Sequence, residues 1–266
     1  MGSFIKTTLL LGLLTAIFLA VGFWFGGVFG LTIGLGLALV INFFSYWYSD
    51  KIVLWIYKAK PLQDRKINAM IEKLAHKSGI PKPKTYIVNM EIPNAFATGR
   101  SPSHSAVAVT KGLTETLNDG EIEAVLAHEI SHIKNRDTLI STLAAVIAGA
   151  ISWLAYAFYF GDSKNRNALS FVLLFILAPL AASLVRLAIS RTREFGADHS
   201  GALISDPLKL ASALEKISAH SGKMRGNAAT SHLFIVNPFS GQSMVALFST
   251  HPPLEERVRR LREMKR

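Results

Sequence analysis

His128 and His132 stand four residues apart in "HEISH", with Glu129 between them. On an α-helix, side chains at i and i+4 lie one above the other, so the two imidazoles can address one cation. Glu129 sits about 100° round the same helix, close enough to reach a water on that cation. Zinc held this way lowers the pKa of its water to about 7, and the carboxylate can take a proton and pass it to a leaving amine. The pattern points to metal-assisted hydrolysis, of peptide bonds first of all. Asn118 and Glu121 form a capping box ahead of it, and Val125, Leu126 and Ile130 give the helix a buried side. The bland alternative is two ordinary histidines on a helix surface.

A catalytic zinc takes three protein ligands and keeps a fourth position open. The chain has no cysteine, which also rules out disulfides and suits a reducing compartment. Position 138, where an extended histidine pattern would continue, is Thr138. Asp137 is five residues past His132 and falls off the shared face of a continuing helix. Asp162 lies beyond an apolar run, on its far side. Glu194, heading "REFGAD", is the best candidate, and Asp198 four residues later could hold a ligating imidazole from outside. The alternative for Glu194 is a surface pairing with Arg191 or Arg193.

The elements that must position these residues belong to an apolar chain. Hydrophobic residues make up 50% of its 266 positions and charged ones 18%, against about 25% in a soluble domain. No residue from Thr7 to Ser49 is charged, a length sufficient for two membrane spans turning near Gly26 and Gly27. Apolar sequence continues past the length of a signal-peptide core, which favours a retained hairpin. Thr138–Gly161 and Asn167–Val185 are charge-free as well, and only five residues separate them.

The expected division is a first hairpin at 1–49, soluble sequence at 50–137, a second hairpin at 138–185 and soluble sequence at 186–266. Lys6, Lys51, Lys58, Lys60, Arg65, Lys66, Lys134, Arg136, Arg186, Arg191 and Arg193 flank the spans on one face, and Lys164 and Arg166 on the other. The positive-inside rule then puts both termini and both soluble blocks in the cytoplasm. His132 precedes the third span by six residues, about 9 Å of helix, so the ligand helices read as continuations of membrane helices.

Within the soluble blocks, Ile67, Met70, Ile71 and Leu74 mark an amphipathic helix ending near Gly79. "KTYIVNM" and "SAVAVT" read as strands, with a shorter one in "EIPNAFATG". Asp206-Pro207 opens a helix to about Ser218, and Leu254, Val258 and Leu261 give a last helix a narrow apolar face. The fold class is an α+β membrane protein with four transmembrane helices. The formal charge of +11 does not indicate nucleic acid, because the basic residues form no tract interleaved with stacking aromatics.

"HEISH" followed by a hairpin, then "SRTREFGAD", "HLFIVNP" and "FSTHPPLEERVRRL", resembles the HtpX heat-shock membrane metallopeptidases of bacteria, relatives of the CAAX prenyl proteases. The resemblance covers nearly the whole chain. It implies an endopeptidase of the cytoplasmic (inner) membrane with one zinc ion per subunit, acting under stress on unfolded or misassembled membrane proteins. It also implies a gluzincin-like catalytic domain, with a small sheet beside the active-site helix.

Carried over by position, His128, His132 and Glu194 would be ligands, Glu129 the general base and Asp198 the acidic residue after the third ligand. Asn94, Ala95, Phe96, Ala97, Thr98 and Gly99 would form the edge strand that receives substrate by strand addition. Asn94 and His251 are both candidates for steadying the oxyanion; their alternatives are a turn residue and a helix-entry residue. Other readings are a prenyl-protein-type membrane protease, a membrane zinc-binding or transport protein, and a scaffold shaped by its metal. Transport is disfavoured because the four expected spans contain no ionisable residue.

Overall fold

The computed structural model describes residues 2–143, 191–220 and 252–264, together with Ile235. The second hairpin expected at 138–185 lies almost wholly outside the described residues, as do His251 and most of the 220–250 stretch. Helix α1 runs from Gly2 to Trp47 and breaks once, at Gly26 and Gly27. Gly27 has φ 55° and ψ −138°, a conformation open to glycine and to little else. The chain folds back there. A Cβ on Gly22 would collide with the Gly30 carbonyl, and one on Gly34 with the Phe18 carbonyl. Asn42 Nδ2 closes the pairing by donating to Leu11 O at 3.3 Å and Thr15 Oγ1 at 2.9 Å. Thr7–Trp47 is long and apolar enough to cross a membrane. Trp24, Val28 and Phe29 are 71%, 77% and 76% exposed, a surface suited to hydrocarbon rather than water.

Helix α2 (Ser49–Ile56) leads from the span into strand β1 (Lys60–Pro61) and helix α3 (Arg65–Ser78). Asp64 caps α3 by accepting from Lys66 N at 2.8 Å and Ile67 N at 3.1 Å, and the helix ends at Gly79. Strands β2 (Lys84–Val88), β3 (Ala95–Ser101) and β4 (His104–Thr110) complete a sheet of order β1-β2-β4-β3. Only β2 and β4 are parallel. The strand expected to be short, in "EIPNAFATG", is seven residues long and forms one edge.

After α4 (Lys111–Thr116) comes α5 (Asp119–Lys134), which carries the histidines. Its capping box is present: Glu121 N donates to Asn118 Oδ1 at 3.1 Å, and Asn118 N to Glu121 Oε2 at 2.9 Å. Helices α6 (Arg191–Ile204) and α7 (Pro207–Ala219) pack against it, and α8 (Leu254–Glu263) packs on those two. Leu74, Val107, Leu126, Ile130, Leu214 and Val258 share one core, so both soluble blocks of sequence build a single hydrophobic interior.

One expectation needs correction. α5 does not continue unbroken into the apolar segment that follows. Asn135 caps it, Arg136 adopts φ 59°, and helix resumes only at residue 137. A left-handed residue interrupts the i to i−4 ladder and turns the chain, which redirects Asp137.

Candidate metal centre

α5 is buried along most of its length, and small residues let its neighbours come close. Ala124 and Ala127 are fully buried on it. Gly201 on α6 faces His128 so tightly that a Cβ there would lie 2.9 Å from His128 N and 3.0 Å from its Cα. That contact draws α6 onto the histidine helix and carries Glu194 and Asp198 across the gap.

Three side chains converge as a result. The Nε2 atoms of His128 and His132 are 3.2 Å apart, with ring planes at 88°. Glu194 Oε1 is 3.5 Å from His132 Nε2, and its Oε2 is 3.8 Å from His128 Nε2. Zinc ligands at 2.0–2.1 Å in a tetrahedron stand about 3.3 Å from one another. The trio therefore fits one zinc ion and could hold it.

The opposite ring nitrogens meet carboxylates. His128 Nδ1 lies 3.0 Å from Asp198 Oδ1, and His132 Nδ1 lies 3.2 Å from Asp137 Oδ2. A carboxylate there fixes the proton on Nδ1 and turns the Nε2 lone pair toward the metal position. Asp198 is itself clamped: Arg257 donates to it through Nε at 2.8 Å and Nη2 at 2.7 Å. The guanidinium is 2% exposed, and its Nη1 donates to Ile235 O at 2.7 Å and lies 3.8 Å from Glu194. Arg193 Nη1 lies 3.7 Å from Asp137.

Charge supports the same occupant. Four buried carboxylates, Glu129, Asp137, Glu194 and Asp198, face two guanidinium groups, Arg193 and Arg257. The difference, four minus two, leaves two negative charges that a dication would neutralise, and buried charge needs a partner. Burial would lower the His132 pKa, but Asp137, Glu194 and Glu129 raise it to about 9. Burial pushes the Glu129 carboxyl upward, with Glu194 adding to the shift, as suits a group that must accept and release a proton. Burial would raise the Asp198 carboxyl, but Arg257 outweighs it and holds that carboxyl well below the usual range.

Glu129 also touches the sheet, through a hydrogen bond with the Ala97 backbone. Thr110 N donates to Asn94 O at 2.9 Å. In an antiparallel ladder that phase turns the backbone groups of Ala95, Ala97 and Gly99 away from β4. The Gly99 carbonyl there accepts from the Thr138 hydroxyl at 3.1 Å. Ala95, Phe96, Ala97, Thr98 and Gly99 are all buried. Asn94 is 2% exposed, and its Oδ1 accepts from Ile235 N at 3.0 Å.

The structure brings together His128, His132, Glu129, Glu194 and Asp198, with the Asn94–Gly99 strand beside them. His199 is exposed. Sequence reading missed Asp137 and Arg257. Arg257 had a signal, because it falls three residues after Leu254 and four before Leu261, on the apolar stripe of α8.

Two histidines and a carboxylate from facing helices, laid over a small mixed sheet, define a zinc-dependent metallopeptidase. The chain belongs to Peptidase family M48, whose family model matches residues 61–265. It is 50% identical over 278 residues to the Protease HtpX homolog of Pyrococcus furiosus, covering 99% of this chain and 96% of that one. It is 48% identical over 288 residues to the Protease HtpX homolog of Sulfurihydrogenibium sp., covering 100% and 97%. In fold it is similar to the crystal structure of S. mikatae Ste24p, with a TM-score of 0.55 at 21% identity over 94% of this chain. The match spans 62% of that solved chain. The protein is accordingly a zinc-dependent membrane metalloprotease that hydrolyses peptide bonds.

Proposed function

We propose that this protein is a multi-pass endopeptidase of the cytoplasmic membrane that cuts unfolded or misassembled membrane proteins at the cytoplasmic face. The observation that carries this reading is the convergence of His128, His132 and Glu194 within ligand spacing, on a chain whose first element is a lipid-suited hairpin. The proposed organisation has hairpins at 1–49 and 138–185 and one catalytic unit built from 50–137 and 186–266. The likeness to Protease HtpX homologs supports the peptidase part of this reading.

His128, His132 and Glu194 are the proposed ligands. Zinc, when bound, polarises the scissile carbonyl and acidifies water. Glu129 takes the proton of the attacking water on its carboxylate and delivers it to the leaving nitrogen. Asp198 and Asp137 hold protons at Nδ1 of His128 and His132, and Arg257 keeps Asp198 ionised and in place. An extended substrate pairs along the outward backbone of β3 at Ala95 and Ala97, which demands little of its side chains. Asn94 orients the start of that strand through Ile235. Asn94 and His251 are the proposed oxyanion donors, to be separated by which substitution lowers kcat while leaving KM in place.

The deciding experiment is digestion of an unfolded membrane protein by purified full-length chain with zinc, with chelator, and as Glu129→Gln and Glu194→Ala. Glu129→Gln should keep its zinc and lose at least about a hundredfold in kcat, and Glu194→Ala should lose both. Full turnover by Glu194→Ala with undiminished metal would refute the assignment.

A further inference from the structure

Where the apolar span ends, the sheet comes up against it and encloses a pocket of about 460 Å³. Phe43 and Trp47, in the last turns of α1, form one wall and are 55% and 43% exposed. Arg100, near the end of β3, is fastened to that wall. Its Nη1 donates to Trp47 O at 3.1 Å, and its guanidinium carbon lies 4.5 Å from the centre of the Trp47 ring. Lys51 Nζ lies 5.0 Å from the centre of the Tyr48 ring, and Lys84 enters from the start of β2. Ser103 and His104 contribute polar atoms from the β3–β4 turn.

The charge of this pocket is one-sided. Among the described residues no carboxylate forms an ion pair with Lys51, Lys84 or Arg100, whereas Lys82 on the rim is held by Glu72 at 2.6 Å. Asp50 is the single acid in the lining. A concave cluster of cations favours an anion, and 460 Å³ is within the range that encloses a small ligand.

The apolar wall selects among anions. It belongs to the same helix that is charge-free from Thr7 onward, and Trp and Tyr at a span's end mark the headgroup level of a bilayer. A soluble anion would leave Phe43 and Trp47 without an apolar partner, whereas a lipid presents phosphate to the cations and acyl chain to the rings. A zwitterionic headgroup would bring a quaternary amine, of like charge, toward Lys51 and Lys84, whereas an anionic one brings no cation to repel them.

We propose that this pocket binds the phosphate headgroup of an anionic phospholipid through Lys51, Lys84 and Arg100, with the lipid's apolar portion against Phe43 and Trp47. The site rests on α1 lying in a membrane and is independent of the metal centre. It would seat the sheet that carries β3 at a fixed height over the bilayer surface.

The test is native mass spectrometry of the full-length chain in nonionic detergent, titrated with phosphatidylglycerol or phosphatidylcholine. The wild type should retain phosphatidylglycerol about tenfold better than phosphatidylcholine, and Lys51→Glu with Lys84→Glu should abolish that preference. Lys111→Glu, at the far end of β4, should keep it. Zinc content reports intact folding in each variant; if the double variant loses zinc, Lys84→Ala alone is read in its place. Equal retention of the two lipids, or an unaltered preference in the lysine variants, would overturn the proposal. So would displacement of the lipid by an equal concentration of inorganic phosphate, which would make the pocket a site for soluble anions. Absence of peptidase activity with lipid preference intact would count against the proposed function and leave this site standing.

Discussion

Arg257 grips Asp198 with two hydrogen bonds, of 2.8 and 2.7 Å, in a place where both side chains are almost wholly withdrawn from water. Asp198 in turn lies 3.0 Å from His128, so a guanidinium fifty-nine residues further along the chain than Asp198 orients that ligand through this clamp.

Removing Arg257 leaves a buried carboxylate without its countercharge. Arg257→Met should lower unfolding stability by about 3–5 kcal/mol, measured by thermal or denaturant unfolding in detergent. Arg257→Lys keeps the charge but not the two-pronged geometry, and should fall between Met and wild type.

Asp137 meets the second histidine as Asp198 meets the first, at 3.2 Å. Asp137→Asn should weaken zinc binding about 10–100-fold while Glu129 and the substrate strand stay in position. Competition with a calibrated chelator reads the loss, and excess zinc should restore turnover.

Gly201 lets α6 approach the backbone of α5 at His128. In Gly201→Ala the new carbon would stand 2.9 Å from His128 N, against backbone that cannot swing aside. The helices must separate, at about 1–3 kcal/mol, and Glu194 moves off its ligand position. Zinc content should drop along with stability. Gly196→Ala on the same helix, where a Cβ meets nothing within 4 Å, should do neither.

Glu121 does more than cap α5. Its carboxylate accepts from Ser212 Oγ at 2.7 Å and Lys216 Nζ at 2.8 Å, tying α5 to α7. Burial pushes its pKa up, but Lys216, the Asn118 N–H and Ser212 outweigh that and hold it below the ordinary value of 4.5. A lowered folded-state pKa gives stability that is full above the unfolded value and is lost as pH falls through the folded one. The stability difference between wild type and Glu121→Gln should therefore be largest near neutrality and shrink on acidification below 4.5. Unfolding curves at a series of pH values check it.

Local signals carried much of this structure. Gly79 ends α3, Asn118 and Glu121 open α5, and Asp206-Pro207 opens α7 where the residue types place them. The two histidines and Glu129 are readable because a helix fixes their spacing without help from the rest of the chain. β1, two residues long, is created only by its partner β2, and no two-residue pattern can announce it. Asp137 was misplaced because Arg136 carries no mark of its left-handed backbone. Arg257 sits among Arg259, Arg260 and Arg262, which are exposed, and only its spacing from Leu254 and Leu261 marks which arginine turns inward.

The position of Arg257 also bears on the order in which a ribosome delivers the parts. His128, His132, Glu194 and Asp198 all emerge earlier, and α8 arrives after every one of them. The two hydrogen bonds that fix the carboxylate behind His128 therefore form only once α8 is in place, so the last-made helix completes the support of the first-made ligand.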